Sequence, residues 1–389
     1  IRASYGFVGS IDRNALPFSV LRKVGNLTYD GEKIMDRYDP SNPSIKWQRQ
    51  ENRNIGFDAS LFNNRVNLVV NYYNNDTRNL LDEKKIAAST GRLAVTANVA
   101  SVNNKGWEIS LRTLNIRTDD FSWVTSVNFT KNKDKVTETY YQDLSEISAS
   151  TNSTFESLYS LYIQGQPVRA FYGYKFAGVD PYTGNTLAYV DGFDDDGNRL
   201  GMLNAEGKYV YNMDNDLTVQ LANASRSYLG RSDPPITGGF TTQFNYKRFS
   251  LFAQFTYMTG HLARSFQYYS GGTAYAAAKN VLKIEANRWR KPGDLTDIPR
   301  YDTGRTEYLY QLFDFRFEKG DYLKCNNISL GYNLEQSICD KLHITRARLN
   351  FNMANVFTLT KFRGIDPETK GAFTYPSARS YTFSLSIGI

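Results

Sequence analysis

Ten stretches of this chain alternate apolar and polar side chains residue by residue, and the connections between them alternate between short and long. Successive side chains of a β-strand point to opposite faces, so strict alternation makes one greasy face and one wet face. Strands that meet tight turns at one rim and long excursions at the other describe an up-and-down transmembrane β-barrel. The final run is the clearest: Tyr381, Phe383, Leu385, Ile387 and Ile389 share one face, and Thr382, Ser384, Ser386 and Gly388 the other. The same split recurs in Asn54–Leu61, Val66–Asn75 and Asn327–Leu334 and, with slips, in Ile1–Phe7, Trp107–Leu111, Phe121–Phe129, Phe240–Tyr246, Phe249–Tyr257 and Ala347–Met353.

Each run has about 9–12 residues, enough to cross a bilayer when tilted. Phe121, Trp123, Tyr246, Phe249 and Tyr332 mark ends of apolar faces, where amphipathic rings belong at a membrane interface. A soluble antiparallel sandwich also alternates, but its outer face carries more Lys, Glu and Thr. Here the polar face is rich in Asn, Ser, Gly and Gln, as suits a wet or plugged lumen. Phe62–Arg65, Arg117–Asp120 and Tyr246–Arg248 are tight turns, and Leu334–His343 is a longer one. Long connections are expected at about 9–50, 77–103, 132–236, 260–320 and 358–378, with Phe171–Val179 and Tyr308–Phe317 as candidate strands inside them. Loops of this size are rarely structureless unless functional. In barrels the short turns lie in the periplasm and the long loops outside, which puts the C-terminus at the periplasmic side.

Composition supports this reading. No run of 18 apolar residues exists, so a transmembrane helix is not expected. A mean hydropathy of −0.50 is compatible with barrel strands, half of whose residues are polar. Net charge is +7, but the basic residues are scattered without a base-reading module, which argues against nucleic acid. Contact between basic loops and anionic lipopolysaccharide is a looser expectation. The two cysteines, Cys325 and Cys339, lie at opposite ends of one strand, about 30 Å apart at ~3.3 Å per residue. A disulfide needs Cα atoms within about 7 Å, so no bond is expected. Ten strands with two open edges leave unpaired backbone that lipid cannot satisfy, so the chain is expected to be one part of a larger barrel. No signal peptide is visible.

Ordered short segments along the whole chain carry a family resemblance: Ile1–Gly6, Asn54–Asp58, Leu61–Arg65, Tyr72–Asn74, Asn104–Glu108, Gly165–Pro167, Phe171–Phe176, Tyr322–Lys324, Asn327–Tyr332, Ala354–Thr358, Gly364–Pro367, Tyr375–Pro376 and Arg379–Phe383. Together they resemble the C-terminal part of SusC/RagA-type TonB-linked outer-membrane transporters. The resemblance implies an all-β, transmembrane antiparallel barrel of 22 strands, about ten of them supplied by residues 1–389, around a plug. It implies import of oligosaccharides or oligopeptides energised through TonB, with a SusD-like surface lipoprotein as lid. Plug, TonB box and N-terminal strands are not in this chain. Outer-membrane proteins often end on an aromatic, and Ile389 departs from that habit.

Candidate chemistry is sparse. Only His261 and His343 exist, in different regions, so no catalytic triad and no His-based metal site can be assembled, and an enzyme is not expected. Asp191, Asp194 and Asp196 lie in a Gly-containing acidic loop that suggests calcium, but Gly192 breaks the EF-hand register. A solvated acidic turn is the preferred reading, and no cofactor is expected. Tyr268, Tyr269, Tyr275, Tyr308 and Trp289 are candidate substrate contacts, since aromatic faces stack on sugars or peptides. Loop packing and contact with the lid compete with that role, and residues 276–291 look like a short helix serving as a loop anchor. Asn67, Asn71, Asn327, Asn350 and Asn352 are candidate plug contacts, because amides donate and accept without burying charge. The function read from this is TonB-dependent oligosaccharide import; an oligopeptide importer or a passive porin is the alternative.

Overall fold

The computed structural model describes residues 1–11, 20–29, 32–39, 42–87, 89, 94–140, 163–189, 202–203, 209–212, 226–265, 283–300, 313–368 and 375–389. Its main element is one antiparallel sheet of ten strands in sequence order, each hydrogen-bonded to the next. They are β1 (Arg2–Ser10), β2 (Gln48–Leu61), β3 (Val66–Lys85), β4 (Ala94–Arg117), β5 (Phe121–Thr139), β6 (Ile236–Tyr246), β7 (Phe249–Thr259), β8 (Tyr322–Asn333), β9 (Arg346–Thr360) and β10 (Ser380–Gly388). All ten alternating runs are strands of this sheet. The only helix on the short-turn rim among the described residues, α1 (Gln336–Lys341), fills the longer turn between β8 and β9. Both cysteines are unbonded.

Register turns the alternation into two continuous faces. One row reads Ala3, Ile55, Tyr72, Trp107, Lys131, Ile236, and the rows on its short-turn side stack Phe57, Val70, Ile109 and Phe129. On this face Ile55, Phe57, Trp107, Leu330, Leu349 and Phe383 are all solvent-exposed, and an uncovered apolar band of this extent is a lipid-facing surface. The opposite face carries Asn67, Asn71, Ser110, Arg112, Ser126, Asn128, Gln243 and Gln254. A long connection packs on this polar side, where the inward Asp134 carboxylate accepts from Val168 N (2.8 Å) and pairs with Arg231. The polar face is therefore the inside of the curved wall.

Aromatic pairs bracket the apolar band. Tyr72 and Trp107 meet at 4.9 Å near one end. Phe121, Trp123 and Phe244 cluster at the other, with Phe249 against Tyr332 at 4.7 Å. Ten strand steps separate Lys131, in the Trp107 row, from Phe121. At ~3.3 Å per step and ~40° tilt that is about 25 Å, the height of an outer-membrane apolar band.

The wall is uneven above this band. β3, β4 and β5 have 20, 24 and 19 residues, whereas β6 and β7 have 11 each. The connection expected at 77–103 is thus mostly strand, because β3 and β4 continue as a hairpin after their outward face turns polar at Asn74 and Lys105. The connection expected at 9–50 contains the hairpin Val20–Tyr29/Glu32–Asp39 and the start of β2. Bulges take up the register change around Asn327: from the row of Gln254 to that of Phe255, β7 advances one residue, β8 two and β9 three. Asn355 sits in this step with φ 54° and its Nδ2 donates to Ala378 O at 2.9 Å.

One crossing depends on a missing side chain. Tyr73 on β3 reaches over Gly106 on β4 to donate its hydroxyl to Asn132 Oδ1 on β5, 2.7 Å away. A Cβ at Gly106 would lie 2.3 Å from Lys131 O and 2.5 Å from the Tyr73 hydroxyl. Gly106→Ala is expected to destabilise the wall by about 1–3 kcal/mol, read as a lower urea midpoint for the intact protein in detergent.

Candidate functional site

Most of the large buried aromatic side chains among the described residues lie beyond the membrane band, in the long connections. Ile163, Phe171, Tyr172, Tyr174, Phe313 and Phe317 are buried there. Ala170–Tyr174 pairs with Arg226–Arg231, Phe176–Val179 joins a four-stranded sheet with Thr186–Tyr189, and Leu262–Arg264 pairs with Phe317–Lys319. Rings tie these pieces together: Phe171 to Phe317 at 4.4 Å and Phe176 to Phe315 at 4.9 Å. In water such burial stabilises by about 25 cal/mol per Å², which lets long connections fold as an assembly of their own.

Asp134 fastens this assembly to β5. Its carboxylate accepts from Val168 N at 2.8 Å and pairs with Arg231, and both side chains are largely buried. Arg231 also donates from Nε to Asp233 O at 2.8 Å. One carboxylate therefore holds both the entry and the exit of the longest connection. On the far side, buried Lys324 of β8 pairs with Glu368.

A cavity of about 610 Å³ opens within the loop assembly, lined by Phe176, Phe315, Phe317, Asn287, Glu318 and Arg363 among others. Arg363 donates from Nε to Glu318 Oε1 (3.2 Å) and from its backbone N to Oε2 (3.1 Å), and its side chain is over half exposed at the mouth. Aromatic faces beside a cation–carboxylate pair suit a polar ligand with flat apolar patches. Nearby, burial pushes the Asp314 carboxyl above its ordinary 3.8, against the lowering effect of the Phe176 N–H at 3.0 Å and of Lys175.

The inward face below is a field of amides. Arg2 grips Asp58 through two hydrogen bonds (2.6 and 2.8 Å) and donates to Asn71 Oδ1 at 3.0 Å. Asn67 accepts from Ser60 and donates to Asn64 O, and it lines a concavity of about 420 Å³ with Ser110, Arg112, Asn128 and Gln254. Asn350 Oδ1 accepts from Arg348 Nε at 2.9 Å. Asn327 Oδ1 is buried with no hydrogen-bond partner among the described residues, as are Asn75 Oδ1 and Asn104 Oδ1. Buried amide oxygens are costly to leave unpaired, and these three are covered by the chain's own residues.

The five expected amides, Asn67, Asn71, Asn327, Asn350 and Asn352, all fall on the inward face, spread over β3, β8 and β9. Asn75 and Asn104 belong with them and were missed, because they lie above the apolar band where alternation fades. Trp289 is held in loop packing: its Nε1 donates to Pro181 O at 2.9 Å and its ring fills the space a Cβ on Gly184 would need. Gly184, at φ +74°, is suited to that bend as few other residues are. The helix expected at 276–291 is described only from 283, where Lys283–Asn287 forms a 3-10 turn. Tyr268, Tyr269, Tyr275, Tyr308 and the acidic loop Asp191–Asp196 lie outside the described residues. No group of three His, Cys, Asp or Glu among the described residues is placed to hold a metal.

A ten-stranded meander with a lipid-ready outer face, an amide-lined inner face and a structured outer loop assembly defines a transmembrane β-barrel wall. Residues 1–193 match the family model for the TonB-dependent receptor-like β-barrel. The chain is 27% identical to TonB-dependent receptor P3 of Formosa agariphila over 99% of its own length and 39% of that protein. It is 24% identical to the TonB-dependent receptor SusC of Bacteroides thetaiotaomicron over 89% of its length and 32% of that protein. In structure it matches the RagAB peptide transporter with a TM-score of 0.76 at 24% identity, over 99% of this chain and 40% of that one. Residues 1–193 thus belong to the TonB-dependent receptor-like β-barrel family, and the chain as a whole is similar to such receptors while spanning about two-fifths of the length of the relatives it matches.

Two outcomes follow from the loop geometry. Asp134→Ala leaves Arg231 buried and unpaired, an expected loss of about 3–5 kcal/mol, seen as faster proteolysis within 163–235 while the wall stays protected. For Asp314, a carboxyl raised by folding destabilises above its folded value and is relieved as pH falls through it. Asp314→Asn keeps the acceptor for Phe176 N and should raise the melting temperature of the loop assembly at neutral pH. That gain should shrink as the pH falls toward the carboxylate range.

Proposed function

We propose that this chain is wall, outer loops and docking surface of an active importer that moves oligosaccharides across the bacterial outer membrane. The short turns and the C-terminus face the periplasm, and the loop assembly faces outward. Other strands of the same transporter close the sheet into a barrel of about 22 strands, and a plug occupies its lumen. TonB acts through the N-terminal portion, and a SusD-like lipoprotein sits over the loops. The observation that carries this reading is a ten-stranded wall with exposed apolar side chains on one face and amides on the other, in a chain that resembles TonB-dependent receptors over nearly its whole length.

Hydroxyl-rich ligands suit the amide-rich inward face, and the ring-lined cavity at Phe176 and Phe315 suits sugar faces. An oligopeptide substrate is the second reading, favoured by the fold match to the RagAB peptide transporter. Detergent extraction of the intact transporter should bring down a surface lipoprotein, and recovery without any would count against the lid. Calorimetric titration with oligosaccharide and oligopeptide libraries separates the substrate classes. Phe315→Ala is expected to weaken the cognate ligand roughly two- to tenfold, the scale of one aromatic contact; steady ion conductance by the purified protein in a planar bilayer would instead make it a porin.

A further inference from the structure

Immediately above the Tyr72–Trp107 pair the outward face changes from apolar to basic. Lys131 lies in the Trp107 row, Lys105 and Lys133 are directly paired in the next row, and Lys135 follows one row higher. All four are exposed and alternate with half-buried or buried inward residues such as Asn132, Asp134 and Gly106. Arg49 and Arg78, paired on β2 and β3, extend the patch, with Arg49 lying 3.9 Å over the Phe7 ring. Arg53 is held by Glu51 and Asp76, and Glu138, just above Lys135, accepts from Ser101 Oγ at 2.9 Å. The four lysines have no carboxylate within ion-pairing distance among the described residues.

We infer that this patch is a docking surface for the phosphate groups of phosphorylated glycolipid in the outer leaflet, an inference that rests on the membrane orientation proposed above. Three features point to lipid. The patch is continuous with the lipid-facing band and starts in the row of its aromatic girdle. Its lysines rise from that row to about 13 Å beyond it at ~3.3 Å per residue, the height of a headgroup. Among the described residues, all four lysines are left exposed. Like-charged lysines in paired positions repel one another across a strand pair, and that repulsion is relieved when an anionic surface lies against them.

The test uses the intact transporter in detergent, titrated with bisphosphorylated lipid A and followed by tryptophan fluorescence, with Trp107 as the adjacent reporter, and by native mass spectrometry. The triple variant Lys105→Gln, Lys133→Gln, Lys135→Gln is expected to lose at least about tenfold in affinity, since each basic residue at an anionic lipid surface contributes roughly fivefold. The matching triple Lys→Arg variant should bind as the parent does. Dephosphorylated lipid and phosphatidylcholine should not distinguish parent from variant. Equal lipid A affinity for parent and Gln variant overturns the proposal. So does displacement of lipid A by millimolar inorganic phosphate, which would make it a free-anion site. Protection of these lysines from amine labelling by a copurifying acidic protein, with no protection by lipid A, overturns it in favour of a protein partner. Heat-modifiable gel migration of every variant checks the barrel separately; a parent protein that stays folded and monodisperse without detergent removes the orientation on which the patch depends.

Discussion

Backbone amides in hydrocarbon have no solvent to turn to, and every other feature of this molecule answers to that constraint. It forces each crossing segment into a ladder with two neighbours, so ten segments must follow one another in unbroken antiparallel order. It also fixes the register, because a slip of one residue would rotate Phe57, Ile109 and Leu330 into the lumen and Asn71 and Gln254 into lipid. Where β7, β8 and β9 change register, around Asn327 and Asn355, the step is shared over three strands, so no single ladder absorbs it all.

The side facing the lumen is built on a different economy. Amides and hydroxyls there pair across strands, as Ser60 does with Asn67 and Asn245 with Ser122. Arg2 is neutralised there by Asp58 and Arg231 by Asp134, whereas Arg348 rests among amides and hydroxyls. The result is a polar surface that presents mainly hydrogen bonds, with a few cations among them.

Much of the wall could be read directly from residue order. Period-two hydropathy located all ten strands, since lipid on one side and water on the other sort the side chains at each step. It failed beyond Asn74 and Lys105, where both faces meet water and the pattern vanishes although the backbone stays extended. Phe171–Val179 was legible as strand inside a connection because its rings alternate with small residues. The role of Asp134 was not, since nothing near it in sequence signals that Val168 and Arg231 converge on it. Trp289 could be picked out as an aromatic, but its seat over Gly184 depends on a contact 105 positions away. The partnerless oxygens of Asn75 and Asn104 become visible only when neighbouring strands are laid side by side.

Because most of the large buried aromatic side chains among the described residues lie in the loop assembly, the chain contains two bodies held together by opposite solvents. The outer one is stabilised by expulsion of water, so urea, cold and pressure act on it as on any globular domain. The crossing segments gain little from that force and are held by ladders and by lipid. Unfolding is therefore not one cooperative event with a single free energy, and a calorimetric trace records the melting of a loop assembly beside a strand wall that outlasts it.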